Sequence, residues 1–225
     1  PMSFLPRHPN GPVHINFSVT ERCNRACPDC CYGIHILHPN VWEIGLDELA
    51  KSAQLIGPMD RVVLTGGEPS FHRQFLEVAQ VARQNFHCHT LAIETNAYAF
   101  KRQPEAWLTF DEIQVTHYRS DTYAKSPPND EEIAFMRGYL NSRGARTRLV
   151  VREIDPHFVR KVHTNPVMCA RGWNGYVTYF KGRVYGCCAA QGVEGAEGIV
   201  LSPHWRSEIM AADLPCGKCL FAGPC

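Results

Sequence analysis

The sequence predicts an α/β chain built on a curled parallel sheet, followed by a small C-terminal unit of β-hairpin and helix. Three observations lead there. Short apolar runs alternate with segments of helical spacing up to about Pro156, which implies parallel βαβ units. The residues with chemical potential fall at the ends of those apolar runs, where a curled parallel sheet gathers its chemistry. After Pro156 the pattern changes to a hairpin, a short helix and closely spaced cysteines.

Along the chain, His14-Ile15-Asn16-Phe17-Ser18-Val19 alternates polar with apolar residues and reads as the first strand. Leu46, Leu49, Ala50, Ala53 and Ile56 have helical spacing, and Gly57-Pro58 closes that helix. Arg61 to Leu64 reads as a buried second strand and Phe75 to Phe86 as an amphipathic helix. Thr90 to Glu94, Ile113 to Thr116 and Thr147 to Ile154 are the third, fourth and fifth strands. A helix from about Glu131 to Ser142 precedes the fifth strand, with Gly144 as its stop. Gly175 to Gly186 reads as a hairpin turning at Lys181-Gly182, and Trp205 to Ala212 as a short helix. The expected division is a core over residues 1–156 and a small unit over 157–225.

Bulk composition narrows the class. The hydrophobic fraction is 44% and the charged fraction 20%, as in globular proteins. Lys+Arg number 23 against Asp+Glu 22, so the net charge of +1 gives no electrostatic sign of nucleic-acid or membrane-surface binding. No apolar run approaches the roughly 20 residues that cross a bilayer. The opening residues lack the form of a signal peptide. An odd count of eleven cysteines, in two clusters of close spacing, points to metal ligation in a reducing compartment rather than a disulfide scaffold. The expectation is a cytoplasmic protein.

Just after the first strand stand Cys23, Cys27 and Cys30, spaced C-x3-C-x2-C on one short loop. Three such thiolates can hold three irons of a [4Fe–4S] cube and leave the fourth open to a ligand. On spacing alone they also suit a zinc site with a distant fourth ligand. About forty residues on, at the end of the second strand, comes Gly66-Gly67-Glu68-Pro69. The two motifs in that order resemble the radical S-adenosylmethionine (SAM) superfamily. That resemblance implies a partial β/α barrel, abbreviated here to five strands where the full core has six. It also implies one-electron cleavage of SAM to a 5′-deoxyadenosyl radical that abstracts a hydrogen atom from substrate.

The same resemblance implies a set of SAM contacts. Gly66, Gly67 and Glu68 would receive the ammonium of SAM, the glycines letting backbone approach the ligand. Thr95-Asn96-Ala97 is similar to the family's T-N-G ending of the third strand, with alanine in place of glycine. Taken alone, Thr95-Asn96 reads first as a strand-end turn, and it is the order of the motifs that brings it into the SAM set. Thr116 and His117 end the fourth strand and are candidates for the carboxylate or ribose of SAM. Where the family has an aromatic residue before the third cysteine, this chain has Asp29, and Tyr32 after Cys31 is the nearest ring.

A second cysteine set begins with Cys169, then Gly182, Cys187, Cys216 and Cys219. The order resembles the opening of a SPASM domain and, more closely, the shorter twitch variant that holds one auxiliary [4Fe–4S] cluster. The implied ligands are Cys169, Cys187, Cys216 and Cys219, with Cys188 or Cys225 as substitutes. The alternative is a structural zinc on the same four thiolates. Cys88, isolated by a strand, reads as a small buried hydrophobe.

The leading expectation is a radical SAM enzyme that oxidises or rearranges a small polar metabolite or nucleotide-like substrate, using two [4Fe–4S] clusters, SAM and an external electron donor of flavodoxin or ferredoxin type. Three alternatives stand beside it: modification of a ribosomal peptide, activation of a glycyl-radical enzyme, and a non-catalytic iron–sulfur electron carrier. For substrate contacts the rim of the fifth strand offers Arg152 and Glu153, with Arg146 and Arg148 nearby; a solvated strand-end charge pair is the plainer reading.

Overall fold

The computed structural model describes residues 11–25, 41–117, 129–153, 175–186 and 197–212. Within them one eight-stranded sheet forms, in the order β5-β4-β3-β2-β1-β6-β7-β8. The strands are β1 (His14–Thr20), β2 (Met59–Gly66), β3 (Cys88–Thr95), β4 (Glu112–His117), β5 (Arg148–Glu153), β6 (Tyr176–Phe180), β7 (Arg183–Tyr185) and β8 (Ile199–Val200). From β5 through β1 to β6 all neighbours are parallel; β6, β7 and β8 pair antiparallel. The helices are α1 (Leu46–Ile56), α2 (Phe75–Asn85), α3 (Asp130–Ser142) and α4 (Trp205–Ala211). No helix among the described residues is long and apolar enough to cross a membrane.

Period-two alternation decides which face of the sheet is core. Ile15, Phe17 and Val19 of β1, Val62 and Leu64 of β2, and Leu91 and Ile93 of β3 point one way, as do Ile113 and Val115 of β4. They pack there with Leu49, Ala53 and Ile56 of α1 and with Phe75, Val78 and Ala82 of α2. The residues between them are mostly polar, including Asn16, Ser18, Thr65, Glu94, Gln114 and Thr116, and they face the opposite side. Between β3 and β4 two 3-10 turns, Phe100–Arg102 and Pro104–Thr109, take the place of a helix. Phe100 and Trp107 fill the layer there, with ring centroids 5.3 Å apart, and Phe75 lies 5.2 Å from Trp107.

The five expected core strands form in sequence order; the first four run one or two residues further at one or both ends than the hydrophobic pattern indicated, and the fifth is one residue shorter at each end. The hairpin also forms, and its turn residues Lys181 (φ 49°) and Gly182 (φ 77°) both take the left-handed conformation that two-residue hairpins use. Its first strand, however, is hydrogen-bonded parallel to β1 and makes a sixth parallel strand of the core sheet, across the expected boundary at 156/157. The physical reason lies in Val177 and Tyr179, which alternate onto the core face. Tyr179 stands opposite Phe17 in register, and the rings stack at 4.1 Å with 4° between planes. The Tyr179 hydroxyl donates to Glu48 of α1 at 3.0 Å. Burial pushes its pKa up to about 12, so it stays protonated. Helix α4 closes the same side: Trp205 Nε1 donates to Leu55 O, and Arg206 donates to Pro12 O and Pro58 O.

At the N-terminal ends of the strands, the buried Glu112 of β4 accepts from Arg61 of β2 at 2.5 Å, from Gln114 at 2.5 Å and from both Nε and an Nη of Arg148 of β5. Burial alone would raise its pKa; the donated hydrogen bonds and the Arg61 charge outweigh it and hold the carboxyl down to about 2. Because that folded value lies below the ordinary one, the linkage adds stability above about pH 4.5 and loses it as pH falls towards 2. Arg148 is largely exposed, which discounts its share. Glu112→Gln should therefore lower the unfolding free energy at pH 7 by roughly 2–3 kcal/mol. Denaturant titrations at pH 7, 4 and 2.5 should show the wild-type and variant values converging as the pH drops.

Candidate functional site

Parallel pairing brings the C-terminal ends of β1 to β5 to one edge, so the predicted site residues that belong to these ends share it. The base of the cysteine loop is closed by backbone bonds between the end of β1 and the chain returning to α1. Glu21 N–H donates to Trp42 O at 2.9 Å, and Ile44 N–H to Val19 O at 2.9 Å. Cys23 stands just inside this closure, buried, with its Sγ accepting from Arg25 N–H at 3.4 Å. Cys27, Asp29, Cys30 and Tyr32 lie outside the described residues, as do Cys169, Cys187, Cys188, Cys216, Cys219 and Cys225. Cys88 opens β3 half-buried against the core, and burial raises its thiol pKa.

The two glycines after β2 are required by the chain itself. A Cβ at Gly66, whose φ is 140°, or at Gly67 would come closer than 3.0 Å to backbone atoms of Thr20 or of Glu21 and Arg22. The space they leave lets Gly67 N–H donate to Thr20 O at 2.8 Å and Glu68 N–H to Arg22 O at 2.6 Å. Their close approach is thus to the strand leading into the cysteine loop, where the sequence had suggested a ligand.

Glu68 is buried and acts as the hub. Its Oε1 accepts from Ser70 N–H at 3.2 Å, Ser70 Oγ–H at 2.5 Å and Thr95 Oγ1–H at 2.6 Å; its Oε2 accepts from Asn96 N–H at 2.7 Å. Burial pushes its pKa up, and the hydrogen bonds from Asn96, Ser70 and Thr95 oppose that shift. No cation among the described residues forms an ion pair with it. With three donors on Oε1 and one on Oε2, the second oxygen is the one left able to accept from another donor.

Asn96 carries the connection onward. Its Nδ2 donates to Asn24 Oδ1 at 2.8 Å, beside Cys23, and its Oδ1 accepts from Tyr98 N–H at 3.0 Å. Asn129, which the sequence reading passed over, is buried just before α3. Its amide donates to Asn96 O at 2.7 Å and Thr116 O at 2.9 Å, stapling the ends of β3 and β4. An asparagine before an acidic first turn reads as an ordinary helix cap, yet its side chain makes no capping bond and its amide nitrogen instead forms this staple. His117 is held by Asp130 at 2.8 Å.

The fifth-strand cluster separates. Arg152 is exposed on the rim and pairs with Glu94 at 3.7 Å, a solvated contact of small energy. The backbone of Glu153 ends β5 beside His117. Arg148 begins β5, about 13 Å away at 3.3 Å per residue, and is committed to Glu112. Arg146 lines a separate cavity of about 510 Å³ at that far end with Arg83, Asp111 and Arg143. The expectation that Arg146 and Arg148 join Arg152 at one site is corrected: strand length puts them at opposite ends of the sheet.

No family model matches the chain. Over 99 residues it is 31% identical to the GTP 3′,8-cyclase of Pectobacterium atrosepticum, a stretch covering 42% of this chain and 30% of that protein. It is 32% identical over 98 residues, with the same coverage, to the GTP 3′,8-cyclase of Edwardsiella ictaluri. The match therefore spans less than a third of the length of these curated relatives. The sequence likeness supports the radical SAM resemblance. Among solved structures, BtrN in complex with AdoMet and 2-DOIA matches at a TM-score of 0.59 and 15% identity, covering 90% of this chain and 83% of that one. That likeness shows the α/β partial-barrel fold.

Ala97 occupies the left-handed region (φ 64°), where the resembled motif has glycine. Left-handed backbone costs an alanine about 1–2 kcal/mol. Glycine would relieve that but lose about 0.8 kcal/mol of methyl burial and about 0.5–1 kcal/mol in chain entropy. The terms nearly cancel, which is why alanine is tolerated. Ala97→Gly should leave the thermal midpoint within a few degrees of wild type. Gly67→Ala, which drives a methyl into backbone, should cost more than about 3 kcal/mol in the same melting experiment.

Proposed function

We propose that this chain is a radical SAM enzyme acting on a small polar or nucleotide-like substrate. The observation that carries the reading is the Glu68 hub. One buried residue ties the end of β3 through its carboxylate, and the entry to the cysteine loop through its backbone N–H, into a single rim at the strand ends. The residues present suit the groups this requires. The free acceptor site on Glu68 Oε2, without a cation among the described residues, suits the ammonium of SAM. The buried Cys23, at the base of a closed loop that also carries Cys27 and Cys30, suits one ligand of a [4Fe–4S] cluster. When bound, that pair supplies one-electron cleavage of SAM and a carbon radical able to abstract hydrogen.

The chain's own residues hold the rim in place. The Asn24–Asn96–Asn129 bonds fix the loop after Cys23 against the ends of β3 and β4. The polar face of the sheet below the rim supports a hydrogen-bonding substrate. Ser18 Oγ of β1 and Thr178 Oγ1 of β6 are fully buried there with no hydrogen-bond partner among the described residues, and Asn16 stands in register with Thr178. Two proteins that this chain resembles are named for a nucleotide, GTP, or described with 2-DOIA, which agrees with a small polar substrate. Arg152 and Glu153, on the rim of β5, are proposed substrate contacts. Cys169, Cys187, Cys216 and Cys219, with Cys188 or Cys225 as substitutes, are proposed as ligands of an auxiliary [4Fe–4S] cluster in a twitch-like C-terminal unit. The electron donor is proposed to be a flavodoxin or ferredoxin, in the cytoplasm.

Anaerobically reconstituted protein should hold about eight irons per chain, from two four-iron clusters. Replacing Cys23, Cys27 and Cys30 together with alanine should remove about half. Zinc in place of the residual iron would make the second site structural. Reduced with dithionite, the wild type should convert SAM to 5′-deoxyadenosine and the triple variant should not. A reconstituted, reduced wild type that leaves SAM intact would favour the electron-carrier alternative.

A further inference from the structure

We propose that an aromatic and basic patch on the outer side of the β2 and β3 loops is the docking surface for an acidic one-electron carrier protein. The inference rests on the radical SAM reading, which requires an electron to reach the cysteine loop from outside. Tyr98 is 43% exposed, and its ring stacks on the half-buried Phe71 at 6.1 Å between centroids. The Arg102 guanidinium lies over the Phe71 ring at 5.4 Å. The exposed Lys101 sits beside it, its ammonium 5.2 Å from the Phe135 ring. Among the described residues neither cation is paired with a carboxylate. On the Phe71 side, Arg22 and the exposed Arg73 share one carboxylate, Glu43, at 3.0 and 3.3 Å. Two cations unpaired among the described residues, Arg102 over Phe71 and Lys101 over Phe135, thus stand beside the exposed Tyr98, in a chain whose overall charge is only +1.

Its position singles it out from other basic surface. Phe71 N–H donates to Glu68 O, and Glu68 N–H donates to Arg22 O, next to Cys23. Tyr98 N–H donates to Asn96 Oδ1, and Asn96 Nδ2 donates to Asn24 Oδ1, on the other side of Cys23. Both rings are therefore two hydrogen-bonded links from the residues flanking that cysteine. A partner seated here would pass one electron from its reduced flavin to a cluster on the loop. The flavin is oxidised by one electron, the cluster is reduced by one, and no atom moves. Charge complementarity favours an acidic protein, and aromatic anchors within a basic rim suit a transient interface whose on-rate depends on salt.

The test uses flavodoxin as the probe, with binding to the reconstituted protein measured by calorimetry at about 50 and 300 mM salt. Wild type should bind at low salt and weaken markedly at high salt. Lys101→Glu/Arg102→Glu and Tyr98→Ala should each weaken low-salt binding at least tenfold. Arg143→Glu/Arg146→Glu, at the opposite end of the sheet, should not. In parallel, dithionite-driven 5′-deoxyadenosine formation should be equal in all variants, while flavodoxin-driven formation should fall only in the patch variants. Absence of flavodoxin binding, or equal weakening by the distal pair, overturns the docking surface. So does sedimentation showing that the patch variants abolish a dimer of this chain. Failure of dithionite-driven cleavage in wild type instead overturns the enzymatic reading and leaves the binding result to be judged on its own.

Discussion

A single buried carboxylate holds the functional edge of this protein together. Glu68 follows β2, yet its hydrogen bonds run to β3 through Thr95 and Asn96, to its own turn through Ser70, and through its backbone to Arg22 beside Cys23. Burying a carboxylate is expensive unless donors surround it, and four donors do so here. The arrangement is possible only because Gly66 and Gly67 lack side chains and allow β2 to close upon the end of β1. Remove either condition, the missing Cβ atoms or the converging donors, and the three strand ends lose their common reference. The rest of the site is built outward from that hub through Asn24, Asn96 and Asn129.

The two ends of the sheet solve the problem of buried charge differently. At the N-terminal end Glu112 is compensated by Arg61 and Arg148, and its carboxyl is held ionised to low pH. Such a site is closed and serves stability. At the C-terminal end Glu68 has hydrogen bonds but no cation among the described residues, and burial pushes its pKa up. A carboxylate in that state gains from a positively charged ligand, which is why the functional reading is placed at that end.

Much of this was legible in the residues. The alternation of His14 to Val19 and the helical spacing of Leu46 to Ile56 gave those elements within a residue, because one-sided burial imposes its period directly on the sequence. Gly66-Gly67-Glu68 was recognisable as a site motif, but the reason for its glycines was not, since the approach of Thr20 and Arg22 is a tertiary fact. Asn129 was invisible because an asparagine before a helix has a local explanation. The joining of β6 to β1 was missed for a related reason: hairpin patterning specifies the pairing of β6 with β7 and says nothing of what β6 meets on its other edge. Arg146 and Arg148 were grouped with Arg152 by proximity in sequence, and a six-residue strand carries them to the opposite end.

The central claim is that the rim organised by Glu68 presents SAM to a cluster on the Cys23 loop. Electron–nuclear double resonance on the reduced, reconstituted protein with SAM labelled by ¹⁵N in its amino group tests it most directly. The account predicts a ¹⁵N coupling to the cluster spin in wild type, strongly diminished in Glu68→Ala protein that still holds its iron. A reduced cluster whose spectrum is indifferent to SAM, in a wild-type protein with full iron content, would contradict it.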